Sequence, residues 1–277
     1  MSDLRLRARS VTEIVDAAFQ LYRRDALEYV LVTAIAYAPL VVAQLVLMRG
    51  LLLGSSGAIS GAMPAWSVLG AGIVGIFGYA LMSAALIRFS SDVYLDRPTG
   101  LNAVVRAVLP LVPRLIGAAI LFGLVLALAF VPVIVGTITS ITPLIVVGAL
   151  LSMAWPFYAM ARFFALFQVI VLEDRGILTA FSRSSVLSQH RKGHIILTMF
   201  LVILIFIVLS FAVTLVAQLF GTIAGSVILQ AVYTVVAYPL IGITQMILYY
   251  DTRIRAEGFD IEVMTGALGS PTTTAVS

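Results

Sequence analysis

The sequence predicts an all-α integral membrane protein: six transmembrane helices arranged as three hairpins, each preceded by a short cytoplasmic interfacial helix. Three observations carry this expectation. The 277 residues are 61% hydrophobic and only 11% charged, with mean hydropathy +1.11. Soluble domains carry about 25% charged residues, and no packed core absorbs so much apolar sequence. Six apolar runs reach the ~20 residues that a helix needs to cross a bilayer. Finally, the basic residues cluster on one side of those runs, and only Arg49 falls on the other.

In chain order, the first element is the segment 10–24, "SVTEIVDAAFQLYRR". Val11, Ile14, Val15, Ala18, Phe19 and Tyr22 recur at helical spacing, and Ser10 with Glu13 has the spacing of a capping box. An amphipathic helix over about 11–24 follows, lying at the interface. Spans one and two cover about 26–48 and 66–86, joined by a Gly/Ser-rich outer loop. A second interfacial helix is expected over about 101–109, with Leu101, Val104, Val105 and Val108 in a stripe. Spans three and four cover about 115–135 and 143–164. A third interfacial helix, about 177–189, carries Ile177, Ala180, Phe181 and Leu187. Spans five and six cover about 195–217 and 227–249. These elements form one domain over 1–264, and the tail 265–277 is small and polar enough to be disordered. Continuous apolar runs exclude a membrane β-barrel, whose strands alternate.

The positive-inside rule places both termini and both charged links on the cytoplasmic side of the membrane, and all thirteen acidic residues share that side. The net charge of +4 and pI near 9.6 therefore reflect topology, and nucleic acid is not an expected partner. No signal peptide is expected, because the first apolar run is too long for one. With no cysteine, disulfides and thiolate metal sites are impossible.

A weak internal repeat links the second and third hairpins. "WP" at 155–156 and "YP" at 238–239 are followed at equal offsets by Arg162 or Gln245, Gln168 or Asp251, and Asp174 or Glu257. Proline-broken spans next to such repeats occur in transporters, although most bundles use prolines only to shape packing. Gln44, Gln168, Gln218, Gln230 and Gln245 lie in or near spans, where amides usually bond helix to helix.

Candidate site residues are few. Arg162 lies deep in span four, where an arginine is costly and needs a partner, for instance Asp92 or Glu173. Arg88 and Asp92 share a helix face. The run "YYDTRIRAEGFD" at 249–260 ends the last span. Its tyrosines suit a membrane–water interface, Asp251–Arg255 and Arg253–Glu257 have i,i+4 spacing, and Gly258 reads as the helix stop. Surplus carboxylates there, Asp251, Glu257 and Asp260, are left for the basic links, with Asp251 to Arg162, Arg175 or Arg183 the expected pairing. Glu173 and Asp174 complete the charged set. His190 and His194 are four apart, but Arg191 and Lys192 between them repel a cation, so no metal or other cofactor is expected. No nucleophile–base constellation and no phosphate loop is present, so the chain is not expected to be an enzyme.

The stretches "RFFALFQVIVLEDRGILTAFSRSSVLSQHRKGHI" (162–195) and "LYYDTRIRAEGFDIEVM" (248–264) resemble a bacterial six-span family, the membrane domain of glycerophosphoryl diester phosphodiesterases, with its related uncharacterised families. The resemblance rests on Arg162, Val171-Leu172-Glu173, Ala180, Arg183, Ser184 and Leu187, on the run from Tyr249 to Asp260, and on "EIVDAAFQLYRR" near the start. It implies a membrane module of unassigned role without the soluble catalytic barrel. The leading expectation is thus a non-catalytic module that binds lipid headgroups or a partner protein at its cytoplasmic face. A transporter or lipid translocator with a polar path near Arg162 comes second, and an intramembrane enzyme last.

Overall fold

A computed structural model describes residues 7–54, 65–97, 100–219 and 223–258. Asp260 and the 265–277 tail lie outside the described residues. Among those described there is no strand. The chain folds as α1 (Val11–Arg24), α2 (Ala26–Gly54), α3 (Ala65–Tyr94), α4 (Leu101–Val108), α5 (Val112–Ala127), α6 (Val131–Thr139), α7 (Thr142–Arg162), α8 (Leu166–Glu173), α9 (Ile177–Leu187), α10 (Lys192–Gln218) and α11 (Ile223–Glu257).

Among the described residues, four helical runs are long and apolar enough to cross a membrane: Leu101–Thr139, Thr142–Glu173, Lys192–Gln218 and Gly225–Glu257. A fifth is the bent pair Val11–Arg24 with Ala26–Val42, if its two arms count as one broken span; they meet at 89°. Consecutive helices pair closely, α2 with α3, α6 with α7 and α10 with α11. A third of the apolar window of Gly225–Glu257 is buried, against 11–17% in the other three runs, so α11 is the central element. It also packs on α1, α2 and α3. The core gathers at the charged end of the bundle, where Ile14, Leu21, Leu86, Ile170, Leu187 and Ile247 are buried together. Away from it, Leu150, Met153, Phe211 and Leu219 are exposed, as lipid-facing residues are.

Proline shapes the helices in two ways. Pro39, Pro156 and Pro239 sit inside α2, α7 and α11. Near Pro110, Pro113 and Pro132 the chain tightens into short 3₁₀ turns, Leu109–Leu111 and Leu128–Phe130, between α-helical stretches. Proline has no N–H and clashes with the preceding turn, so the regular ladder gives way at these points. Consequently no loop separates α4 from the span that follows. Instead, α4 runs through a 3₁₀ turn into α5 as part of the 39-residue stretch Leu101–Thr139.

The capping box of α1 forms as expected: the Ser10 amide donates to Glu13 at 2.8 Å and the Glu13 amide donates to the Ser10 hydroxyl at 3.4 Å. The Ser10 amide first, then the Arg7 guanidinium, pulls the Glu13 carboxyl from its ordinary 4.5 down to about 2. The buried face is rotated from the expected stripe, because Ala17 and Leu21 are buried while Phe19 is exposed. That face packs on α10 and α11, so protein covers it. In α9, Ala180, Ser184 and Leu187 are likewise buried, and Leu178 is exposed.

Candidate functional site

Asp251 sits at the charged end of α11 with 1% of its side chain exposed. Its carboxylate accepts from the Arg9 backbone N–H at 2.7 Å and from Arg255 Nε at 2.9 and 3.1 Å. His194 Nε2 lies 3.5 Å away. Arg255 completes a ring by donating to the Arg9 carbonyl at 2.6 Å. The i,i+4 pair is thus present, but the expected pairing of Asp251 with Arg162, Arg175 or Arg183 is not. The entry to α1 occupies that place instead.

The middle of the chain reaches α11 through other carboxylates. Glu173, at the end of α8, accepts from Arg183 Nε at 3.1 and 3.2 Å and from the Tyr249 hydroxyl at 2.8 Å, with Arg175 Nε 3.8 Å away. Arg183, on α9, turns its other nitrogens to Glu257, with Nη2 to Oε2 at 2.9 Å. Glu257 also accepts from Arg253 Nε at 3.1 Å, the second expected i,i+4 pair. Hydrogen bonds to Glu257, and then to Glu173, raise the pKa of Arg183 above the ordinary arginine value. A chain of charge thus runs Arg175–Glu173–Arg183–Glu257–Arg253 and ties α8 and α9 to α11. Gly258 follows with φ 67°, the left-handed conformation that stops α11.

Tyr249 and Tyr250 do not sit wet at a membrane–water interface. Both are buried, at 0 and 4% exposure. The Tyr250 hydroxyl bonds Ser91 Oγ at 2.7 Å, and its ring stacks on Tyr94 at 5.6 Å. Arg88 and Asp92 pair at 3.2 Å as expected, so Asp92 is committed. Arg114 pairs with Asp174 at 2.6 Å, joining α5 to the turn after α8. Sequence reasoning missed that pair, since 60 residues separate its members and no periodicity connects them. Of the glutamines, Gln230 bonds Ser210 between α11 and α10 at 3.3 Å, whereas Gln168 is buried with neither amide atom bonded.

Arg162 pairs with neither Asp92 nor Glu173. The α7 helix stops at this residue, and its carbonyl accepts from Ser184 Oγ at 3.3 Å and Ser188 Oγ at 3.1 Å, both on or at the end of α9. Ser184 Oγ also accepts from the Ala165 amide at 3.1 Å, so one serine serves both sides of the break between α7 and α8. Arg162 Nη1 donates to the Tyr158 hydroxyl at 3.0 Å, and its Nε is buried without a hydrogen-bond partner. The Lys192 ammonium reaches the same hydroxyl at 3.5 Å and lies 4.5 Å from the ring centroid. Two cations therefore meet on one phenol, and neither has a carboxylate partner among the described residues.

Beside this pair, between α7, α8 and α10, lies an apolar groove with a cavity volume of about 170 Å³. Phe157, Met160 and Phe164 line it on one side and Met199 and Phe200 on the other, while Gln245 brings a polar group. Like ligand sites in general, it is lined mostly by apolar and aromatic side chains with few polar groups. Among the described residues, no cluster of three metal-ligating side chains occurs. Comparison with protein-family models, with curated proteins and with solved structures finds no match.

Proposed function

We propose that the protein is a non-catalytic membrane module that binds anionic lipid headgroups at its charged, cytoplasmic end. In this reading the long helices α2 and α3 also span, giving six spans in three hairpins with both termini inside a bacterial inner membrane. The observation that carries it is the imbalance of charge at that end. Asp92, Glu173, Asp174, Asp251 and Glu257 are each engaged by arginines of the protein, while Arg162 and Lys192 meet no carboxylate among the described residues. Cations left over beside a membrane surface attract anionic phosphates. The stretches that resemble the phosphodiesterase membrane domain contribute Glu173, Arg183, Asp251 and Glu257 to these ion pairs.

Native mass spectrometry of protein released from vesicles of mixed composition tests this reading. Anionic lipids should be enriched on the protein over their share of the vesicle. Retention in proportion to the bulk membrane would overturn it. Lipid translocation is the second reading, favoured by the buried, unbonded amide of Gln168. A fluorescent-lipid flip assay in reconstituted vesicles separates the two, because rapid exchange between leaflets would replace binding by transport.

A further inference from the structure

We infer that Tyr158, Arg162 and Lys192 form the headgroup site of an anionic diacyl phospholipid, one acyl chain of which lies in the groove beside them. This rests on the lipid-binding reading above and narrows it to one place and one ligand class. The donors are in place and underused. A guanidinium carries five N–H donors and an ammonium three, and each of these cations makes one side-chain hydrogen bond among the described residues, both to the same phenol. Arg162 Nε has none. A phosphate monoanion supplies acceptor oxygens of the right charge and geometry for both.

The apolar groove lies next to these cations along α7. Phe157 and Phe163 adjoin Tyr158 and Arg162 in the chain and also line the groove. Phe157 is 60% and Phe200 54% exposed, so its edges open toward the bilayer. Ser184 and Ser188 fix the Arg162 backbone, so Arg162 is held by α9. A free phosphate would leave the apolar groove without an occupant. A zwitterionic headgroup would bring a cation toward two cations. An anionic diacyl lipid satisfies both halves.

Lys192 is the only lysine in the chain, so an amine-reactive reagent reads this site directly. Protein in nanodiscs of phosphatidylcholine, with or without phosphatidylglycerol, is labelled and the Lys192 peptide quantified against the N-terminal amine. Phosphatidylglycerol should protect Lys192 several-fold in the wild type and not in Arg162→Gln, while inorganic phosphate in phosphatidylcholine discs should not protect. A phosphatidylglycerol carrying a photoreactive acyl chain should crosslink to α7 and α10, and Arg162→Gln should abolish this. Tyr158→Phe, which keeps the ring and both cations, should weaken protection and confirms that folded protein is being read. Protection that survives Arg162→Gln, equal protection by free phosphate, or crosslinks confined to other helices would overturn the site. Should Arg162→Gln keep its anionic-lipid enrichment in native mass spectrometry, the site fails and the broader reading stands. Absence of enrichment in the wild type removes both.

Discussion

Asp251 buries a charge, and removing a carboxylate from water costs several kcal/mol unless hydrogen bonds and opposite charge replace the lost hydration. Here the Arg9 amide and Arg255 Nε do so. Asp251→Ala leaves both donors without an acceptor, and roughly 2–4 kcal/mol of stability should be lost, the lower end reflecting the partial exposure of Arg255. Asp251→Asn should cost less, since its oxygen still accepts one bond. Detergent-titration unfolding in mixed micelles measures both, and an Ala variant as stable as wild type would remove Asp251 from the structural account. Only half of this site was legible beforehand. The Arg255 pairing follows from helical spacing, whereas the Arg9 amide lies 242 residues away and its donor is a backbone group that no side-chain pattern marks. Tyr249 and Tyr250 misled for a related reason. A tyrosine beside a charged run fits a wet interface, but it fits equally a buried site where its hydroxyl hydrogen-bonds Glu173 or Ser91.

Helices were the most legible level, because apolar runs in a membrane leave the backbone few ways to satisfy its hydrogen bonds. Their ends and breaks were less so. The run from Thr142 to Glu173 reads as one apolar stretch, yet the regular helix halts at Arg162 and resumes at Leu166. A serine from α9 satisfies the groups freed there, and no local sequence signal announces that remote cap. The stripe over 101–109 was visible, but its continuity with the following span depended on 3₁₀ turns around prolines that could equally have ended the helix. Helix pairing rests on small residues. A Cβ placed on Gly148 of α7 would stand 2.6 Å from the Val133 amide nitrogen and 3.0 Å from the Pro132 carbonyl carbon, both backbone of α6. Backbone cannot rotate aside, so α6 and α7 would have to separate. Gly148→Val should therefore destabilise the pair by ~1–3 kcal/mol, as overpacking does elsewhere. Gly123→Val on α5, which has open space around it, serves as the control. Equal unfolding curves for the two variants would refute the close approach.

Across the whole molecule, association energy is distributed unevenly. Lipid tails are as apolar as the helices, so burial of apolar side chains drives little assembly within the bilayer. At the charged end, water competes, and a core, a ring around Asp251 and the Glu173–Arg183–Glu257 chain gather there. The composition and the clustering of charge on one side made this end predictable; which charges meet required the three-dimensional path of α8, α9 and α11. The chain of charge should behave as a unit. Arg183→Met leaves Glu173, only 12% exposed, facing the Tyr249 hydroxyl and a distant Arg175, and takes from Glu257 one of two partners. A loss of roughly 2–4 kcal/mol is expected, between exposed pairs and fully buried ones. Glu173→Gln alone should cost less, since Arg183 keeps Glu257. In the double variant the stranded charge is gone, so its loss should fall well short of the summed single losses, with a coupling of about 1–2 kcal/mol. Strict additivity in a double-mutant cycle, measured by unfolding in mixed micelles, would show that these side chains are neighbours without being partners, and that the middle helices are held to α11 by packing alone.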